Sequence, residues 1–259
     1  MLKRGRFISI GILALALGAG GVVAADLGTV VRVVDGDTVE VAYESTVDTV
    51  RLIGIDAPEI DARQPRIAAA ATRAKHRLTQ LVLGEQVRME RDQFAGDRDR
   101  YGRLLRYLFL REDKNVAGAL VGEGMAFAAT GRDFRFREEF RTLEHHARSA
   151  KVGVWASTEE TVVDSTAASE YIGTVATVCG PVASSRFVPR SSGQPTFLNL
   201  GAPYPNQSLT VVIWGRDRDR FGAPEKAYSG KTICVTGWID THKGIPQIAI
   251  NDPQFVRTK

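Results

Sequence analysis

The stretch Thr29-Val30-Val31-Arg32-Val33-Val34-Asp35-Gly36-Asp37-Thr38-Val39-Glu40-Val41-Ala42-Tyr43 sets the fold class. Its β-branched runs, parted by Asp35-Gly36-Asp37, predict two strands joined by a turn. Residues 47–55 continue as a third strand, and residues 86–90 and 104–110 form two more around a charged loop at 92–103. Three helices are interleaved. Residues 65–83 are rich in alanine, leucine and arginine, with Pro65 suited to a first turn and Gly84 to a stop. Asn115 can cap a short helix ending near Gly124. Phe136, Phe140, Leu143, Ala147 and Ala150 recur at helical spacing, ending near Gly153 with Trp155 packing back onto the core. The class is mainly β, or α+β.

Residues 157–169 (STEETVVDSTAAS) are small, polar and acidic, as a linker would be. Beyond them, residues 170–259 carry about five short strands separated by Gly, Pro and Ser, which suits a small closed barrel such as an OB-fold. The expected organisation is a leader at 1–25, a first domain at 26–156, a linker at 157–169 and a second domain at 170–259. One echo joins the halves: residues 97–102 (DRDRYG) resemble 217–222 (DRDRFG), as two solvated charged turns would by chance.

The formal charge is +4, with a sequence pI near 9.2, a weak bias toward polyanions. It is uneven: residues 26–169 are net −3 and residues 170–259 net +4. Lys3, Arg4 and Arg6, an apolar run from Phe7 to Val23 and small residues before Asp26 predict an export signal. The alternative is an uncleaved membrane anchor. No second hydrophobic span follows, so the predicted location is periplasmic or secreted, without stable membrane association once the signal is cut. Cys179 and Cys234 are the only cysteines, outside any CxxC pair and without a histidine cluster, which argues against zinc. They form either a disulfide or two buried thiols; a bond closing that loop would contribute about 4 kcal/mol in the chain-entropy model.

Three separated segments carry the chemistry: Val34 to Val39, Val50 to Glu59, and Asp99 to Leu105. Asp37 and Asp56 offer anionic oxygens that suit a hard cation. Arg51 and Arg103 are planar, permanent cations able to grip a phosphate. Glu59, behind Pro58, can orient or deprotonate water. Arg51 and Asp56 are five residues apart, so a regular strand would point them to opposite faces. A shared site therefore requires a break, and Gly54 is its natural place.

Over residues 28–156 the chain resembles the staphylococcal nuclease (thermonuclease) family, on DGDT at 35–38, RLIGIDAPE at 51–59, DRYGR at 99–103 and GVW at 153–155. The resemblance implies a five-stranded OB-type barrel with three helices and Ca²⁺-dependent hydrolysis of DNA and RNA to 3′-phosphate ends. It implies metal ligation by Asp37, Asp56 and the backbone carbonyl of Ala57, with Asp35 shaping the metal loop. It further implies Arg51, Glu59 and Arg103 as catalytic residues, and Arg100 and Tyr101 as contacts to a terminal phosphate. Ala57 stands where the type member has threonine. A tyrosine that usually lies over the base is replaced near Thr130, with Phe127 a possible substitute.

The second half resembles OB-fold nucleic-acid-binding domains through GKTICVTGWIDTHKGIPQIAINDP at 230–253. Arg186, Arg190, Arg216, Arg218, Arg220 and Lys243, with Phe187, Phe197 and Trp214, are candidates for a strand-binding surface. Nothing calls for a protein partner. The expectation is an exported nuclease acting on DNA, RNA or both; the alternatives are a non-catalytic nucleic-acid-binding scaffold and a membrane-tethered nuclease.

Overall fold

The computed structural model describes residues 26–59, 64–129, 131–156 and 161–259. The predicted leader lies outside the described residues.

The first half is built on β1 (Asp26–Val33), β2 (Thr38–Tyr43), β3 (Thr46–Leu52), β5 (Gln86–Glu90) and β6 (Leu104–Phe109), closed into a barrel in the order β1-β2-β3-β6-β5. Every pairing is antiparallel except β3 with β6. The alternation read from sequence buries Val39 and Val41 of β2 and Val50 and Leu52 of β3 inside. The third strand ends earlier than its apolar run, at Leu52. Gly54 turns at φ +83°, and the two-residue β4 (Ile55–Asp56) pairs with β7 (Phe127–Ala128) instead. A side chain at 54 would strike the ring of Phe134 at 2.6 Å.

Helix α1 (Pro65–Val82) starts on proline as expected, and α2 (Val116–Gly122) is capped by the Asn115 side chain, which accepts from the amides of Ala117 and Gly118. Helix α3 (Arg137–Ser149) buries Phe140 and Ala147, and with them Glu144. α1 faces two cores. Ala74, Leu78 and Val82 belong to the barrel core, while Ile67 and Ala70 join a second cluster with Ala147, Val154, Trp155 and the apolar residues of the second half.

The expected linker departs from its reading. Residues 157–160 lie outside the described set, but Val162–Asp164 form strand β8, and Ser165–Tyr171 form a 3₁₀ segment capped by Asp164. Val163 is buried, so this polar run is held by one apolar residue and by pairing with β9.

The second half, expected as a small closed barrel of about five strands, is an eight-stranded sheet, seven strands on one path and β8 paired with β9 off it. Strand β9 (Val175–Phe187) pairs with β12 (Thr232–Trp238) through its first half and with β10 (Thr196–Leu200) through its second. From β10 the sheet continues to β11 (Leu209–Ile213), β14 (Ile245–Ala249) and β13 (Asp240–His242), and from β12 to β15 (Val256–Thr258). The strands missed by sequence, β8, β13 and β15, have three residues each, too few for a periodic signal. Cys179 and Cys234 lie opposite each other on β9 and β12 and are joined by a disulfide.

The two halves share a seam. Burying Ile67, Val154 and Trp155 contributes roughly 1.5–3 kcal/mol each by area, more than the roughly 0–1 kcal/mol of an exposed ion pair. Polar links are inset. Arg137 Nη2 meets the buried Asp217 at 2.5 Å, and Asn251 Nδ2 donates to Glu144 Oε2 at 2.9 Å. The echo at 217–222 is therefore no solvated turn: Asp217 is 1 % exposed, whereas the Asp97 side chain is 47 % exposed.

Candidate active site

Arg51, at the end of β3, organises the site. Its Nη1 donates to the carbonyls of Leu52 (2.8 Å) and Ile55 (2.9 Å), a grip available because the chain reverses at Gly54. Its Nη2 lies 2.9 Å from Asp56 Oδ1 and 3.0 Å from Asp37 Oδ2, so two carboxylates from separate segments meet on one nitrogen. Asp37 Oδ2 also accepts from the amide of Ala57 at 2.8 Å, and the amide of Asp37 donates to Asp35 Oδ1 at 3.0 Å. The turn that carries Asp35 and Asp37 is pressed against its surroundings at Gly36. A β-carbon there would lie 2.6 Å from that of Ala57 and 2.9 Å from that of Ala74 in α1.

Arg103 enters from the loop before β6. Its Nε donates to Asp99 Oδ2 at 2.8 Å and its Nη1 reaches Thr38 Oγ1 at 3.5 Å, beside Asp37. Asp99 Oδ1 also accepts from the amides of Tyr101 and Arg103, so one carboxylate shapes the loop that presents the arginine. Sequence reasoning assigned Asp99 no role; its position four residues before Arg103 was the available signal. Tyr101 is 69 % exposed and not packed on the barrel, with the guanidinium of Arg100 at 4.8 Å from its ring and that of Arg103 at 5.5 Å.

The electrostatics place Glu59 in the same neighbourhood. Partial burial raises its carboxyl, as do the charges of Asp56 and Asp35, while Arg51 and Arg103 pull it down. Burial pushes Asp37 up to about 7 against the opposing pull of Arg51 and the Ala57 amide; Asp35 and Asp56 push it further. Asp56 is raised too, by the enclosing protein first, although its side chain keeps 69 % of its exposure. The carboxylates of 37 and 56 thus meet on Arg51, with those of 35 and 59 near enough for their charges to be felt.

That surplus of negative charge suits a cation. Among the described residues no three acidic, histidine or cysteine side chains close into a cage. What the site offers is an open pair of anionic oxygens, from Asp37 and Asp56, of the kind hard oxygen-seeking cations accept. Without thiolate or imidazole it does not suit zinc.

Residues 49–157 match the family model described as staphylococcal nuclease homologue. The SPbeta prophage-derived endonuclease YokF of Bacillus subtilis is 36 % identical over 131 residues, covering 49 % of this chain and 43 % of its own length. Endonuclease YncB of the same organism is 34 % identical over 131 residues, 49 % of this chain and 61 % of its own. The micrococcal nuclease of Shigella flexneri is 31 % identical over 137 residues, 50 % of this chain and 73 % of its own. The chain belongs to the staphylococcal nuclease family. It covers less than two thirds of the two Bacillus relatives, and all three alignments leave about half of this chain unmatched.

Against the family pattern, Thr130 lies outside the described residues. Phe127 is no free platform for a base, since it packs against Trp155 (centroids 5.5 Å) and Trp238 (5.8 Å). The cationic surface expected on the second half is largely neutralised. Arg216 pairs with Asp133, Arg218 with Glu225 and Arg220 with Asp252, while Phe187 lies under Arg218. Arg186, Arg190 and Lys243 remain outward. Asp240 was missed: it comes from the second half, and its carboxyl is raised by burial and then by the charge of Asp56.

Proposed function

We propose that this protein is an exported, calcium-assisted nuclease that hydrolyses phosphodiester bonds of DNA, RNA or both, leaving 3′-phosphate ends. The meeting of Asp37 and Asp56 on Arg51, with Arg103 and Glu59 around them, carries the reading. Arg51 is anchored through Nη1 by two carbonyls, so its guanidinium is fixed before substrate arrives. Arg51 and Arg103 hold non-bridging phosphate oxygens and stabilise the charge that gathers there during attack; one such donor is worth about 10²–10³-fold in rate. Glu59 takes a proton from water as its oxygen bonds to phosphorus. The bond to the 5′ oxygen breaks, and that oxygen leaves as a 5′-hydroxyl after protonation from solvent. The upward push on the Glu59 carboxyl moves it toward the pH at which a base works best. A calcium ion held by Asp37, Asp56 and the Ala57 carbonyl would polarise the phosphate.

Arg100 and Tyr101, exposed beside Arg103, are the proposed contacts to a terminal phosphate, and the second half is an accessory nucleic-acid-binding unit. The reading is tested by digesting plasmid DNA and total RNA with calcium or with chelator, beside Glu59→Gln. Wild type should cut both only with calcium, and Glu59→Gln should lose roughly 10²–10⁴-fold in rate with an unchanged unfolding curve. Equal trace activity in both proteins leaves a non-catalytic binding protein as the answer.

A further inference from the structure

A cavity of about 250 Å³ opens beside Asp56, between the nuclease barrel and the second half of the chain. Asp56 stands at its edge. Phe127 comes from the barrel side, and Trp214, Trp238, Asp240 and Gln247 from the second half. Asp240 and Gln247 face each other across β13 and β14, and Trp214 follows β11. Among the described residues, the Gln247 side chain makes no hydrogen bond, and the only one accepted by the Asp240 carboxylate comes from the amide of Thr241.

Aromatic walls with a carboxylate and an amide among them match one chemical class on a nucleic acid: the base. They do not match its phosphates. The only cation on the wall among the described residues is Arg148, which is stacked on Trp155 (4.0 Å) and Phe255 (4.2 Å) and paired with Glu144. Negative groups at Asp56, Asp240 and Glu144 would repel a backbone phosphate, which the arginines outside the cavity attract.

Resting on the nuclease reading, we propose that this cavity is a nucleobase subsite. It takes one unpaired base flanking the phosphate being cut and selects bases that present an amino group. A carboxylate accepts from the exocyclic amino group of cytosine, adenine or guanine, and in guanine from the ring N1–H as well, whereas thymine and uracil offer two carbonyls and a single N–H. A base inside a duplex cannot enter, so the subsite also favours single strands.

The test uses oligodeoxynucleotides with one cleavable linkage, the base on either side varied among A, C, G, T and an abasic site. Wild type should cut amino-bearing bases about 5- to 100-fold faster in kcat/KM than thymine or the abasic site. Asp240→Asn, nearly isosteric, should flatten the preference among the bases. A second readout is binding of a nuclease-resistant phosphorothioate strand carrying 2-aminopurine at the flanking position. Its fluorescence should be quenched by wild type and much less by Trp214→Ala. Equal rates for all bases, or a preference that survives Asp240→Asn, would overturn the subsite and leave the nuclease standing. If nothing is cut, the nuclease reading falls, and quenching alone decides whether the cavity takes a base.

Discussion

Gly36→Ala is the sharpest probe of how the acidic turn is held. The added carbon would lie 2.6 Å from the β-carbon of Ala57 and 2.9 Å from that of Ala74. Carbons in contact sit about 3.5–4.0 Å apart, so relief needs about 1 Å of movement. Neither neighbour is the end of a flexible side chain. Ala74 is fully buried in α1, and Ala57 is tied through its amide to Asp37. The turn itself must give, carrying Asp35 and Asp37 away from Arg51. Overpacking of this kind costs about 1–3 kcal/mol, which lowers Tm by about 2–12 °C in a chain of this size. A misplacement of about 1 Å in a catalytic group costs about 10²-fold in rate. The assay is initial-rate cleavage of single-stranded DNA with calcium, well below the Tm of both proteins, alongside thermal unfolding. A variant that keeps wild-type rate and Tm would refute the wedge. One that loses Tm but not rate would refute the claim that the position of this turn carries activity.

Arg51→Lys should lose at least about 10²-fold in rate with modest change in Tm, because an ammonium cannot hold two carbonyls and two carboxylates in one plane; near-normal rate in a plasmid assay would show that the planar grip is dispensable. Asp217, pushed up to about 6 by burial despite Arg137, holds its proton more tightly folded than unfolded. Stability should therefore fall as pH rises from about 4 through about 6, by about 3 kcal/mol from this group. Urea unfolding at pH 4 and pH 7 should give a shallower loss for Asp217→Asn, and identical slopes would remove Asp217 as the source. Replacing Cys179 and Cys234 together by serine should cost about 4 kcal/mol by the loop-entropy argument, seen as a lower Tm with the cleavage rate of the still-folded protein unchanged.

The barrel was legible because its signals are local. β-branched runs marked the strands, Pro65 and Asn115 marked helix starts, and the five-residue interval from Arg51 to Asp56 demanded a break that falls at Gly54. Strand β3 was read too long, since an apolar run does not reveal where pairing changes partner. What escaped depends on distant segments. Asp217 looks like a solvated charge until Arg137, eighty residues earlier, is seen against it. Glu144 sits among the apolar positions of α3, and its burial is met by Asn251, more than a hundred residues later, and by Arg148 one turn on. Asp240 gained its place beside Asp56 from strands too short to read.

Trimming the protein at residue 156 to obtain a minimal enzyme would strip the cover from Ile67, Ala70, Ala147, Val154 and Trp155, which the second half now keeps dry. Such a fragment would carry every group proposed for bond cleavage, yet with a greasy scar across two of its helices. Its poor solubility would be easy to mistake for a catalytic defect.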